Sequence, residues 1–101
     1  MSKKEVWGRA QWTAIHSFAA CLSNKTKYGY ITYINSLPDT MPCGACRTHF
    51  KELLKKYPIE LNVKNNREAF AWSFIIHNEV NAQIGKPIFK YSEALKMYRV
   101  M

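Results

Sequence analysis

Apolar residues recur in this chain at helical rather than alternating spacing, and proline and glycine cut that pattern into short pieces. Pro38 and Pro42 bracket a Leu37-to-Met41 connection, Pro58 closes the next segment, and Gly85-Lys86-Pro87 closes another. Only Tyr28 to Ile34 is rich enough in β-branched and aromatic residues to suggest a strand. Helices are predicted over roughly residues 6–22, 27–37 and 43–56. A fourth starts at Asn65 or Asn66, and Ser92 caps a short last one reaching Met97 or Tyr98. Glu68, three residues after Asn65, completes a capping box. The expected inward stripe of the first helix is Trp7, Ala10, Ala14, Phe18 and Cys21, and that of the second is Tyr30, Tyr33 or Ile34, and Leu37. The third aligns Cys46, Phe50, Leu53 and Tyr57; the fourth aligns Phe70, Phe74, His77, Asn81 and Ile84. Five helices on short loops within 101 residues predict an all-α bundle, with residues 1–101 as one domain.

Composition excludes several classes of function. At 48% hydrophobic and 14% aromatic residues the chain is not a disordered tail. No run of about 18 apolar residues exists, so no membrane span is expected. The opening Met1-Ser2-Lys3-Lys4-Glu5-Val6-Trp7 has no apolar core of a secretory signal, which points to the cytoplasm. Lys and Arg number 15 against 7 Asp and Glu, a net charge of +8 that permits nucleic acid, acidic membranes or a phosphorylated cofactor as partner. A nucleic-acid reader gathers its cations on one element. Here Lys25, Lys27, Lys51, Lys55, Lys56, Lys64, Lys90 and Lys96 scatter instead, as solvated helix faces do.

Three cysteines, Cys21, Cys43 and Cys46, exclude a fully paired disulfide scaffold. Cys43-Gly44-Ala45-Cys46 follows Pro42 at a predicted helix start, where unpaired N–H groups and the helix dipole stabilise a thiolate. Helical phase turns Cys46 inward with Phe50 and Leu53 and leaves Cys43 within reach of a partner protein. That is the arrangement a dithiol relay needs. Two other readings use the same residues. One is an inert structural pair. The other is a small basic helical module binding zinc, or nucleic acid, through Cys43, Cys46 and His49, although a closed zinc site wants a fourth ligand. Cys21 is expected as a buried thiol, with an intermolecular partner as the alternative.

Polar residues on apolar faces form a second cluster. Gly8, Trp12 and His16 share one edge of the first helix at four-residue spacing, and His77 and Asn81 interrupt the stripe of the fourth. If those helices pack together, two imidazoles, an indole and the amides of Asn78 and Asn81 make a pocket for a planar heteroaromatic ligand. Lys86 and Lys90 offer cations for phosphates. No Gly-rich dinucleotide fingerprint is present, so a nucleotide would be held without a Rossmann unit.

Three blocks in order now carry a resemblance. Gly8-Arg9-Ala10-Gln11-Trp12-Thr13-Ala14-Ile15-His16, Pro42-Cys43-Gly44-Ala45-Cys46, and His77-Asn78-Glu79-Val80-Asn81 through Gly85-Lys86-Pro87-Ile88-Phe89 resemble motifs of the Erv/ALR family of FAD-linked sulfhydryl oxidases. The resemblance implies a four-helix bundle with a short fifth helix, FAD at the bundle mouth, and a homodimer. It implies that Gly8, Arg9, Trp12, His16, His77, Asn78, Val80, Asn81 and Lys86 hold FAD. Cys43 would exchange disulfides with a thiol-bearing protein substrate or a thioredoxin-like relay, and Cys46 would lie against the flavin ring. Electrons would pass through FAD to molecular oxygen, giving hydrogen peroxide. Many cellular members carry a structural disulfide where this chain has Phe74 and Tyr91, which predicts an aromatic contact in its place. Lacking that disulfide and a second shuttle pair, the chain is similar to the short members encoded by large DNA viruses, for which the host cytoplasm or the virion is the implied setting.

Overall fold

The computed structural model describes residues 2–100. It comprises α1 (Lys3–Ala20), α2 (Lys27–Thr40), α3 (Gly44–Lys56), a single 3-10 turn (Ile59–Leu61), α4 (Asn66–Ile84) and α5 (Tyr91–Met97). No strand occurs among the described residues, in keeping with the predicted all-α class.

Local chemistry sets most of the ends. Ser2 caps α1, its hydroxyl accepting from the Glu5 N–H at 3.2 Å. Asn65 caps α4 by accepting from the Glu68 N–H at 2.8 Å, as the sequence predicts. Gly85, at φ +75°, closes α4: its N–H reaches the Ala82 carbonyl while that of Lys86 reaches the Asn81 carbonyl at 2.8 Å, a Schellman motif.

Several predicted boundaries move: α1 runs Lys3–Ala20 rather than roughly 6–22, and the end of α2 and the start of α5 shift for tertiary reasons. Pro38 does not end α2, which runs on to Thr40; Pro38 is buried there, and the Thr40 hydroxyl donates to the Leu37 carbonyl at 2.8 Å. The helix stops instead at Met41, which precedes Pro42 and is extended, as that position demands. The last helix begins at Tyr91 rather than behind a Ser92 cap, because the Tyr91 ring docks edge-on against Phe74, centroids 5.0 Å apart. That is the aromatic contact expected in place of a covalent tie.

α1 and α4 share the most extensive interface, with α2 and α3 packed as a second pair. Ile15, Ile34, Phe50, Ile59, Phe70 and Ile76 lie at the centre of the core. Tyr30 ties the pairs together, its buried hydroxyl donating to the Ile15 carbonyl at 2.9 Å. The predicted stripe of α1 is out of phase with the structure. Ile15, His16 and Ala19 face the core, whereas Phe18 is 55% exposed and Cys21 is exposed. The helix is apolar on two sides, and the buried side carries a histidine that a hydropathy count scores against it. On α4, Ala69, Trp72, Ser73 and Ile76 join Phe70 inside, while Ile84, expected inward, is exposed.

Candidate functional site

Cys43 and Cys46 are joined as a disulfide with Cα atoms 5.2 Å apart. Cys43 is the N-cap of α3, whose first helical residue, Gly44, lies one position later than predicted, and its Sγ accepts the Cys46 backbone N–H at 3.2 Å. A backbone N–H and a helix terminus are thus aimed at the Cys43 sulfur, where they favour negative charge. Cys46 packs against the core, as its phase predicts, though both cysteines are only half-buried. The zinc alternative finds no support: among the described residues no three His, Cys, Asp or Glu side chains gather as a metal cluster.

The second assembly sits on the α1–α4 seam. Trp12 lies flat on His77, centroids 4.0 Å apart and planes 5° from parallel. His16, buried beneath them, approaches His77 through Nε2 and Nδ1 at 2.7 Å, and its own Nδ1 lies 2.8 Å from the Ser73 hydroxyl. Phe89 meets the His77 ring edge-on at 4.7 Å, and Tyr98 tilts against His16 at 5.0 Å. Burial pushes His16 down to about 4. His77 falls to about 3, through burial first and then the charges of His16 and Lys86. Both rings are therefore neutral at pH 7.

The remaining predicted residues surround this stack. Asn78 pins the 85–90 loop, accepting from the Phe89 N–H at 3.0 Å and donating to its carbonyl at 3.3 Å. Asn81 is buried and its carbonyl anchors Lys86. Val80 packs on the core margin, and Arg9 is exposed one turn before Thr13, whose hydroxyl donates to its carbonyl at 2.9 Å. Gly8 is half-buried, and a Cβ built there meets nothing within 4 Å, so protein packing does not require a glycine. Ser73, Phe89 and Tyr98 also contact these rings, and none of them is a predicted site residue. Ser73 stands four residues before His77, so helical phase alone places it on the same face.

The described geometry therefore supplies a redox-capable disulfide at a helix N-terminus and, on the α1–α4 seam, a stack of neutral rings with the amides of α4 and the charge of Lys86 beside it.

Residues 9–99 match the Erv1 / Alr family. A protein of African swine fever virus named as an FAD-linked sulfhydryl oxidase is 35% identical over 96 residues, covering 91% of this chain and 79% of that one. One of Acanthamoeba polyphaga mimivirus, named as a probable FAD-linked sulfhydryl oxidase, is 36% identical over 97 residues, covering 91% and 68%. The crystal structure of the yeast Erv1 core superposes with a TM-score of 0.83 at 25% identity, covering 97% of this chain and 85% of that one.

Proposed function

Because this chain belongs to the Erv1/Alr family, it is an FAD-dependent sulfhydryl oxidase, and we propose that Cys43 and Cys46 are the pair through which it oxidises protein thiols. The observation that carries this reading is the disulfide at the α3 N-terminus, with the Cys46 N–H directed at the Cys43 sulfur. A substrate thiolate attacks Cys43 Sγ, forming a mixed disulfide and breaking the bond to Cys46, which leaves as a thiolate. A second substrate thiol then attacks the substrate sulfur of that mixed disulfide. Cys43 leaves as a thiolate, its charge met by the N–H that caps it. The substrate gains a disulfide, and the Cys43–Cys46 pair is left reduced by two electrons. FAD held beside Cys46 would supply the two-electron acceptor for the reduced pair, with oxygen as the final acceptor and hydrogen peroxide as product.

The residues present fit that cofactor. Trp12, His16 and His77 offer stacked neutral rings, Asn78, Val80 and Asn81 line α4 beside them, and Gly8 leaves open space. Lys86 and Arg9 supply positive charge for a pyrophosphate. These nine residues are the proposed FAD set. Cys46, on the core side of the pair, is the cysteine proposed to face the flavin. The electron donor is a thiol-bearing protein or a thioredoxin-like relay, which approaches from the Cys43 side. Residues 1–101 act as one domain, and the proposed setting is the cytoplasm; no helix among the described residues is long and apolar enough to cross a membrane. The exposed apolar surface of α1 and α2, around Phe18, is the proposed face of a homodimer.

Cys46→Ser tests the relay. The variant is expected to purify yellow, with flavin bands intact, while dithiol-dependent oxygen uptake falls by more than about 100-fold. Cys21→Ser, remote in sequence from the pair, is expected to leave uptake unchanged. Full turnover by the Cys46 variant would sink the assignment.

A further inference from the structure

Ser73 is fully buried beneath the imidazole pair, its hydroxyl 2.7 Å from the Phe70 carbonyl oxygen and 2.8 Å from His16 Nδ1. A carbonyl oxygen carries only lone pairs, so two oxygens 2.7 Å apart need a proton between them. Ser73 supplies it. Its single proton is then committed, and toward His16 it can only accept, which places a hydrogen on His16 Nδ1. Each ring is neutral and carries one proton, so Nε2 of His16 is a bare lone pair. That lone pair faces His77 Nδ1 at 2.7 Å, and the hydrogen of this contact must come from His77. Nε2 of His77 is left as an acceptor. Trp12 against its face and Phe89 at its edge fix the rotation of the ring, and so the direction of that lone pair.

We propose that Ser73 is a positioning residue for the cofactor site: by committing its proton to the Phe70 carbonyl it sets the tautomers of His16 and His77, so that His77 offers Nε2 to bound FAD as the acceptor for an N–H or O–H group. This rests on the reading of Trp12, His16 and His77 as FAD-holding residues. The same three side chains could relay hydrogen bonds in the opposite sense, with Ser73 donating to His16 and His77 presenting an N–H outward. In that arrangement the Ser73 and Phe70 oxygens would face each other at 2.7 Å with no hydrogen between them, and their repulsion selects against it. The consequence is specificity at one atom. The two polarities have the same shape and opposite signs, so a ligand group that bonds to one is repelled by the other.

The test uses the full chain purified with its flavin and labelled with 15N, its histidine tautomers read at pH 7 from two-bond 15N–1H correlations. Both His16 and His77 are expected as Nδ1–H tautomers. Ser73→Ala removes the acceptor and frees the pair to reverse. His77 then shows Nε2–H, and FAD affinity falls by about three- to tenfold, in proportion to the population lost. Ser73→Thr keeps the hydroxyl and is expected to restore both tautomers, with affinity within about threefold of the parent. The proposal is overturned by Nε2–H on His77 in the parent protein. It is equally overturned if Ser73→Ala keeps both tautomers and the affinity, or if a Thr variant folded by circular dichroism restores neither. A protein that carries no flavin and takes up none from added FAD, yet shows the stated tautomers, defeats the underlying site reading and the proposal with it.

Discussion

His16 and His77 are held uncharged by burial, and that makes the fold sensitive to acid. An unfolded histidine titrates near 6.5, whereas in the folded chain these two titrate at about 4 and about 3. Above pH 6.5 the rings are neutral in both states and do not bias folding. As the pH falls from 6.5 toward 4 the unfolded chain binds protons that the folded chain refuses, so stability is lost across that window. For His16 the loss between pH 7 and pH 5 is on the order of 2 kcal/mol, and His77, more open to solvent, adds less. Urea unfolding is expected to show a clearly lower midpoint at pH 5 than at pH 7, and His16→Gln should flatten that difference. Equal midpoints at the two pH values in the parent chain would mean that the rings are not held neutral. The histidines and Trp12 were legible in the sequence because four-residue spacing puts Gly8, Trp12 and His16 on one edge, and polar rings on apolar faces stand out. Ser73 was not. Its phase, four residues before His77, puts it on the histidine face, but a serine there has no role until a ring 57 positions away is brought against it.

Helix ends divide by how local their causes are. The start of α4 was readable because the Asn65 side chain and the Glu68 N–H are three residues apart and need nothing else. The Gly85 stop is local in the same way, and it matters to the site because the Schellman turn brings Lys86 out close enough for its charge to act on His77. Replacing Asn65 with Ala removes the cap and is expected to cost about 1 kcal/mol, a fall of roughly 4–8 °C in melting temperature. Asn65→Asp, which keeps the acceptor, should retain most of that stability by the same calorimetric measurement. A loss of equal size in both variants would show that the cap is not the cause. The end of α2 and the start of α5 were misread because their causes are tertiary. Burial of Pro38 offsets a broken backbone bond, and Tyr91 starts its helix against Phe74, seventeen positions earlier in the chain.

For the molecule as a whole, the misphased stripe of α1 leads to the remaining question of assembly. Phe18 and Cys21 were expected inside because their spacing continues an apolar row, yet Ile15, His16 and Ala19 occupy the core. The bundle needs one side of α1 for α4 and leaves the other uncovered. Phe18 packs edge-on against Tyr33, and with Cys21, Gly29 and Tyr30 they line a shallow groove of about 390 Å³ between α1 and α2. Contiguous apolar surface of this kind is uncommon on a monomer and marks an interaction face. A second copy of the chain could cover it with the same residues about a two-fold axis. Sedimentation at micromolar concentration is therefore expected to give twice the chain mass for the parent protein. A charge at the centre of the face, Phe18→Lys, should shift it to the chain mass while leaving the flavin bands in place, because Trp12, His16 and His77 lie on the opposite, α4-facing side of α1. A parent protein that sediments as a monomer would rule out this face as a homodimer interface. Loss of flavin together with the dimer would show instead that the α1–α2 surface and the proposed cofactor residues on the α4 side of α1 do not act independently.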